Sequence, residues 1–319
     1  MRNVLLLMLA AVLQLGATTV LSPALEIVAK GVVKDMVLRD KELLFGTDQG
    51  VLQVYDYEAQ VFSYEIALAP VKDFVGDTIP PRIFSIDKMQ GRYVLLSDSG
   101  KGGYVNLWIH ENNVTTQLLN HTNKIAAVKI RFIDKNKVLL GLLSNEAVLF
   151  DVVSKKEIFR VQLSPSKFSD FALNEDRTQA VFACESGVLT VIDTSTGKVL
   201  KELKGLNVDN VYKVDFKQGI VSAAGQDRRA ALYDVNTGKG KYKEGHFLIY
   251  ATGLSPSTKR VAFAMDEYNN ITIYNRSTMS KMALLKGQKS TLNTIIFKDE
   301  NVLFSSSDND SVMMWNLKL

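Results

Sequence analysis

Apolar residues recur along this chain in short alternating runs, and seven of these runs end on a large apolar or aromatic residue, mostly followed by Asp or Asn. These final positions, which we call the anchors, lie 53, 42, 42, 41, 41 and 41 residues apart. A period of about forty residues with room for four short strands is typical of a β-propeller. We therefore predict an all-β, seven-bladed β-propeller. The anchors are Tyr55, Trp108, Phe150, Ile192, Tyr233, Tyr274 and Trp315.

The two ends of the repeat array predict how the ring closes. Only four residues follow Trp315, so the seventh unit lacks an outer strand of its own. An additional apolar run over residues 25–29 precedes the first unit. We predict that this N-terminal strand pairs with the last blade and closes the ring, because an unmatched inner edge would otherwise remain. A ring closed in this way needs no second copy, so we expect a monomer.

The first 24 residues differ in kind from the repeats. Arg2 is the only charged residue before Glu26, and an apolar run and several small residues ending in Ala24 follow it. This order is typical of a signal peptide cleaved after Ala24. The sequence thus predicts a signal peptide over residues 1–24 and a propeller over residues 25–319, located in the periplasm without stable membrane insertion. The alternative is an uncleaved anchor, since residues 4–21 are just long enough to span a bilayer.

Composition and charge argue against several classes of function. The formal net charge is only +4, and the basic residues are scattered, so we expect no nucleic-acid partner. The three histidines lack metal-ligand spacing, so we predict no catalytic residue, no metal and no cofactor. The lone Cys184 cannot form an internal disulfide, which suits a bacterial periplasm better than a disulfide-rich extracellular setting.

The repeat resembles the WD40 family, whose units run from a Gly-His turn to a Trp-Asp ending. Gly245 and His246 match the first turn, Asp227 matches the family's turn aspartate, and Trp315 is followed by Asn316. The resemblance covers about residues 25–319. Most units lack the His and Asp that form a polar tetrad in that family, so we expect apolar packing to hold these blades together.

The first spacing between anchors is about eleven residues longer than the others, which places an insertion over residues 70–81 between the first two blades. In a WD40-like ring this connection lies on the same face as the turns between second and third strands. We expect Phe74 and Ile79 to be exposed there and to contact a partner, while a tolerated insertion is the alternative. The rim of this face is mostly basic, which suits an acidic protein surface. The residues predicted to bind a protein partner are Asp73, Phe74, Asp77, Ile79, Lys101, His121, Lys124, Arg228, Arg229 and His246.

Exported WD40-like rings of about this length resemble the accessory proteins encoded with the periplasmic nitrate reductases of some bacteria. The resemblance implies an interaction scaffold that serves assembly or electron transfer, with a reductase subunit as its partner. One alternative is an outer-membrane assembly propeller, which should carry a lipid-bearing Cys that this chain lacks. The other is a propeller enzyme such as a lactonase or dehydrogenase, which needs metal ligands or a cofactor-stacking Trp in its channel. Both tryptophans of this chain are anchors.

Overall fold

The structure, a computed structural model, describes residues 18–318. Seven sheets, each containing four antiparallel strands, are arranged in a ring around a central channel. This confirms the predicted seven-bladed β-propeller. Within each blade the strands follow one another from the channel outward, except that the outer strand of blade seven comes from the N-terminal part of the chain.

Two short strands precede the first blade, namely β1 (Thr19–Leu21) and β2 (Leu25–Val28). Blade one contains β3 (Val33–Arg39), β4 (Glu42–Thr47), β5 (Val51–Asp56) and β6 (Val61–Ala67). A hairpin of β7 (Val71–Lys72) and β8 (Thr78–Ile79) follows. Blade two contains β9 (Ile83–Met89), β10 (Arg92–Asp98), β11 (Val105–Glu111) and β12 (Val114–Leu119), and a short 3-10 helix, His121–Asn123, leads out of it. Blade three contains β13 (Ala127–Asp134), β14 (Lys137–Leu142), β15 (Glu146–Asp151) and β16 (Lys156–Gln162).

The remaining blades repeat this plan. Blade four contains β17 (Phe168–Leu173), β18 (Gln179–Cys184), β19 (Leu189–Asp193) and β20 (Val199–Leu203). Blade five contains β21 (Val211–Lys217), β22 (Ile220–Gly225), β23 (Arg229–Asp234) and β24 (Gly240–Glu244). Blade six contains β25 (Ala251–Leu254), β26 (Arg260–Ala264), β27 (Ile271–Asn275) and β28 (Lys281–Leu285). Blade seven contains β29 (Leu292–Phe297), β30 (Val302–Ser307) and β31 (Ser311–Asn316), with β2 as its outer strand.

The position of a strand within its blade explains the hydrophobic pattern of the chain. Second strands are covered on both faces, and β22 is buried at every residue. Outer strands face solvent, and β16 has no fully buried residue. Strands that are buried on both faces read as continuous apolar runs, which is why the second and third strands of each repeat are visible in the sequence.

The Asp or Asn that follows most anchors has a structural role. In blade four the Oδ1 of Asp193 accepts hydrogen bonds from the backbone N–H groups of Ser195 and Thr196, both at 2.9 Å. A side-chain oxygen that accepts from the two following turn residues fixes a tight turn. The same bond to the turn before the fourth strand is formed by Asp56, Asp151, Asp234 and Asn275.

The core is divided into one apolar cluster for each blade interface of the described chain. The cluster between blades seven and one contains Ile27, Phe45 and Phe304. Strand β2 pairs with β31 in antiparallel register, with Ile27 opposite Val312. The prediction that the N-terminal strand closes the ring is therefore confirmed.

Strand β1 was not expected. It adds to the outer edge of blade six in parallel register, with Val20 opposite Leu284, and the carbonyl of Leu21 accepts from the N–H of Lys286 at 2.9 Å. It lies before the predicted cleavage site, so cleavage after Ala24 would remove β1 and retain β2. Residues 1–17 of the predicted signal peptide lie outside the described residues, and cleavage stays a prediction. No helix within residues 18–318 is long and apolar enough to cross a membrane.

The expectation that apolar packing replaces polar networks inside the blades is wrong for blade seven. The indole N–H of Trp315 donates to Ser305 Oγ at 2.9 Å, and Ser305 Oγ donates to Gln288 Oε1 at 2.7 Å. The amide of Gln288 also donates to Ser307 Oγ at 2.8 Å. Gln288 follows Gly287, the position of the His in the family motif, and an amide offers a donor and an acceptor as an imidazole does. A search for His at this position overlooks such a network.

Candidate functional site

The connections between blades and the turns between second and third strands lie on one side of the ring, which we call the loop face. The N–H of Asp98 in blade two donates to the carbonyl of Arg82 at 3.0 Å, and in blade seven Asp308 donates to Thr291 at 2.9 Å. Each bond joins the end of a second strand to the start of the inner strand of the same blade. The predicted placement of the insertion on the same face as these turns is therefore confirmed.

The insertion forms the hairpin of β7 and β8, in which Val71 lies opposite Ile79. The Oδ1 of Asp73 accepts from the N–H groups of Val75 at 3.0 Å and Asp77 at 2.8 Å, which fixes the turn. At the tip, Phe74 is 90% exposed and Val75 is 76% exposed. The hairpin thus presents two adjacent apolar side chains on a closed turn.

The hairpin is held against blade two. Lys101 Nζ donates to the carbonyl of Asp73 at 3.0 Å. Gly100 has a φ of +72°, and a Cβ atom at this position would lie 2.1 Å from the carbonyl oxygen of Lys72. The hairpin therefore packs against the Gly-rich turn after β10, because only glycine permits this close approach.

Several of the residues predicted to bind a partner have structural roles in the described chain. Ile79 was expected to be exposed but is half-buried in β8, and Asp73 caps the turn, so both shape the hairpin. Arg229 lies on β23, where its guanidinium stacks 4.4 Å from the ring centre of Tyr242 and donates to the carbonyl of Leu206. Sequence reasoning overlooked Val75, which follows Phe74 directly and is 76% exposed.

The remaining predicted residues are exposed on the loop face in two groups. Asp77, Lys101, His121 and Lys124 lie around blade two, since the connection to blade three bonds back to β11 through the N–H of Val105 and the carbonyl of Ile125 at 3.0 Å. Arg228 and His246 form the second group at blades five and six, where the N–H of Gly245 donates to the carbonyl of Arg228 at 2.8 Å. Within the described part of the chain, four of these exposed side chains make no ion pair, namely His121, Lys124, Arg228 and His246.

The second region that gathers polar side chains is the channel wall. The inner strands of several blades carry a register shift just after their first residue, as between Val33 and Asp35 in β3 and between Val211 and Lys213 in β21. Such β-bulges redirect the following side chain. The residues at this level of the channel are Asp35, Ser85, Lys129, Asp170, Lys213 and Thr294.

One buried ion pair crosses the channel wall from blade one to blade three. Arg131 donates through Nη1 and Nη2 to the two carboxylate oxygens of Asp35 at 2.9 and 3.0 Å, a bidentate arrangement. Ser85 Oγ and the N–H of Ile86 in blade two also donate to Asp35, at 3.1 and 2.9 Å. Burial alone would raise the pKa of Asp35, but the charge and hydrogen bonds of Arg131 outweigh it and hold this pKa below its usual value.

A second buried network lies closer to the opposite face. Asp87 of blade two is fully buried and binds Arg39 of blade one at 2.5 Å and Arg177 of blade four at 3.2 Å. The backbone N–H of Phe132 in blade three donates to the same carboxylate at 2.9 Å. A single aspartate therefore links four consecutive blades.

An ion pair between Lys129 and Asp170 also lies at the channel wall. Lys129 Nζ donates to Asp170 Oδ1 at 2.5 Å and lies 5.5 Å from the ring centre of Phe171. Burial, together with the charges of Arg131 and Lys213, lowers the pKa of Lys129 to about 8, although Asp170 and Asp35 oppose this shift. Sequence reasoning overlooked the channel residues, but a signal was present for those at the bulge level. Each of these is a polar residue two positions after the apolar start of an inner strand, as Asp35, Lys129 and Asp170 illustrate.

No group of three or more His, Cys, Asp or Glu side chains among residues 18–318 is placed to hold a metal ion. The expected lack of a cofactor stays a prediction. No protein-family model matches the chain, and a search of the curated proteins found no match. The structure thus shows the propeller itself, while membership of the WD40 family stays a prediction.

Proposed function

We propose that this chain is a protein-interaction scaffold that receives a protein partner on its loop face, with Phe74 and Val75 inserted into the partner. The observation that carries the proposal is the 90% exposure of Phe74 at the tip of a hairpin whose backbone is fixed by Asp73 and Lys101. Large aromatic residues held rigidly in the open contribute most of the binding energy in many interfaces. A tolerated insertion has no need of such a tip.

The charge around the hairpin supports an acidic partner surface. Lys124 and Arg228 are exposed on this face without an ion-pair partner in the described chain, and Lys101 lies beside the hairpin. Cations at the rim of an apolar contact speed association with an acidic surface and select against basic ones. The predicted signal peptide would bring the scaffold to the periplasm, where a subunit of a respiratory reductase of the nitrate reductase type is the partner we propose.

Site-specific photo-crosslinking tests this proposal. The photoreactive residue p-benzoyl-phenylalanine is placed at Phe74 and, as a matched control, at Val153, which is 64% exposed in the turn after β15 on the opposite face. With the purified reductase, we expect crosslinks from position 74 and none from position 153. Substitution Phe74→Ser should weaken binding about tenfold or more, whereas Val153→Ser should leave it unchanged.

Crosslinks from position 153 alone, or equal binding by Phe74→Ser and the unaltered chain, would contradict the docking face. Crosslinks from position 74 to outer-membrane assembly proteins in whole cells, and not to the reductase, would favour the assembly-propeller alternative. Export is tested separately by fusing residues 1–30 to alkaline phosphatase, which is active only outside the cytoplasm. An inactive fusion would contradict the periplasmic location while leaving the docking face to its own test.

A further inference from the structure

The channel contains two adjoining cavities whose shared wall is formed by charged side chains. One cavity of about 390 Å³ lies toward the loop face, and one of about 290 Å³ lies toward the opposite face. Four residues at the bulge level border both cavities, and they come from four different blades: Asp35, Lys129, Asp170 and Lys213. These four side chains are therefore shared by the walls of both cavities.

The carboxylates at this level already have their hydrogen-bond donors. Both oxygens of Asp35 accept from Arg131, and one of them also accepts from Ser85 and Ile86. Asp170 accepts from Lys129 through Oδ1 and from the N–H of Val214 through Oδ2 at 3.1 Å. All four carboxylate oxygens are therefore engaged with the protein.

The ammonium groups are not engaged to the same degree. Lys213 borders both cavities, and its Nζ makes no hydrogen bond or ion pair with any residue the structure describes. Lys129 uses one of its three N–H groups on Asp170. Lys129 is paired with Asp170 and Arg131 with Asp35, whereas Lys213 has no partner among the described residues, so these five groups together carry an excess of one positive charge.

Hydroxyl groups of blades six and seven also contribute to the lining. Thr252 of blade six is only 5% exposed, borders the cavity of about 290 Å³, and its Oγ1 has no partner among the described residues. Thr294 of blade seven borders the same cavity and is half-buried. A buried hydroxyl without a partner costs free energy, which a bound acceptor would recover.

We propose that the channel binds one small, singly charged oxyanion between the ammonium groups of Lys213 and Lys129, with the hydroxyl groups of Thr252 and Thr294 as further donors. One negative charge would balance the excess at this level, and the oxyanion would supply the acceptors that the saturated carboxylates cannot. The cavity of about 290 Å³ has room for an ion of this size together with water.

The protonation of Lys129 gives a second, independent test of anion binding. Asp170, Asp35, Arg131 and Lys213 are the charged groups that face it, and their combined effect with burial is a pKa of about 8. An anion bound beside the amine favours its protonated form, so binding at pH 8 should be accompanied by uptake of part of a proton. Adventitious adsorption to surface lysines would not take up a proton at this pH, because exposed lysines are already protonated.

Isothermal titration calorimetry with sodium acetate and sodium nitrate, at pH 8 and constant ionic strength set by sodium chloride, tests the site. We expect one ion bound per chain, with heats that differ between HEPES and Tris buffers by the amount that proton uptake requires. Lys213→Met should weaken binding at least tenfold, since a charge-assisted hydrogen bond is lost. Lys156→Met is the matched control, because it removes an equal charge from the exposed outer strand of blade three and should leave binding unchanged.

A second variant guards against loss of folding. Thr294→Val retains every charge and should weaken binding several-fold, and circular dichroism verifies the fold of each variant. Equal affinity of Lys213→Met and the unaltered chain would overturn the proposal. So would the lack of saturable binding to the unaltered chain up to about 50 mM ligand, because a dissociation constant above this range means a very weak interaction. Tighter binding of sulfate than of nitrate would overturn the assignment of a single charge.

Discussion

The channel wall is built differently on its two sides. Inner strands β3, β9, β13, β17 and β21 contribute buried or half-buried charges, and we call them the charged arc. Inner strands β25 and β29 contain no charged residue, and we call them the neutral arc. In the charged arc, Asp87 and Asp35 each bind side chains from other blades, whereas in the neutral arc neighbouring blades meet mainly through apolar side chains such as Ile295 and Leu285.

This difference separates two ways of holding blades in register. A buried ion pair is directional, so Asp87 fixes blades one to four relative to one another. Replacing an entire ion pair by apolar residues can be neutral or even stabilising, but removing one partner leaves an uncompensated buried charge. Apolar packing tolerates small changes but loses stability in proportion to the volume removed. The ring closes beside the neutral arc, where Ile27 packs between blades seven and one.

The largest effect is expected from breaking the charged arc at Asp87. Asp87→Ala leaves the guanidinium groups of Arg39 and Arg177 without their shared carboxylate, and should lower the free energy of unfolding by about 3–5 kcal/mol. Thr252→Val in the neutral arc removes a hydroxyl that has no partner in the described chain, and should change it by less than about 1 kcal/mol. Urea denaturation measures both. Equal losses in the two variants would show that the two arcs are energetically alike.

Closure on the neutral side is tested by Ile27→Ala. Ile27 is 3% exposed in β2, so its truncation leaves a cavity between blades seven and one and should cost about 2–4 kcal/mol. Its neighbour Val28 is 58% exposed on the same strand, and Val28→Ala is expected to stay within about 0.5 kcal/mol. Urea midpoints compare the two. If Ile27→Ala proves as mild as Val28→Ala, β2 does not contribute to ring stability.

The sequence predicted the blades because their signals are local. Anchors such as Tyr55 and Trp315 recur at nearly fixed distances along the chain, within largely buried strands. The closing strand follows from the missing outer strand of the last repeat. The channel was not predicted because its pairs are distant: Arg131 and Asp35 are separated by 96 residues. A polar residue near the start of an inner strand shows which side chain faces the channel, but not which partner it finds there.

The candidate interaction site was predicted in part for a similar reason. The extra length of the first repeat located the insertion over residues 70–81. The register of β7 and β8 decides which residues are exposed, and it places Ile79 in the pair with Val71 while Val75 reaches the tip. A shift of one residue in a short hairpin exchanges the two faces, so composition alone could not separate Val75 from Ile79.

The smallest expected effect concerns the pH dependence of the charged arc. The pKa of Lys129 is about 8 in the folded chain and 10.5 at its ordinary value, so between these pH values the unfolded chain binds more protons than the folded one. Stability attributable to this group should therefore rise with pH across that window, by about 1 kcal/mol between pH 7 and pH 9. We expect the rise in the unaltered chain and in Lys156→Met, and a flatter profile in Lys129→Met, when urea denaturation is repeated across this range.

Parallel profiles for all three proteins would mean that Lys129 remains fully protonated in the folded chain, with Asp170 outweighing the burial and the neighbouring cations. A direct NMR titration of the lysine side-chain methylene next to Nζ would then place its midpoint near 10.5, and the excess positive charge of the channel would be present up to that pH.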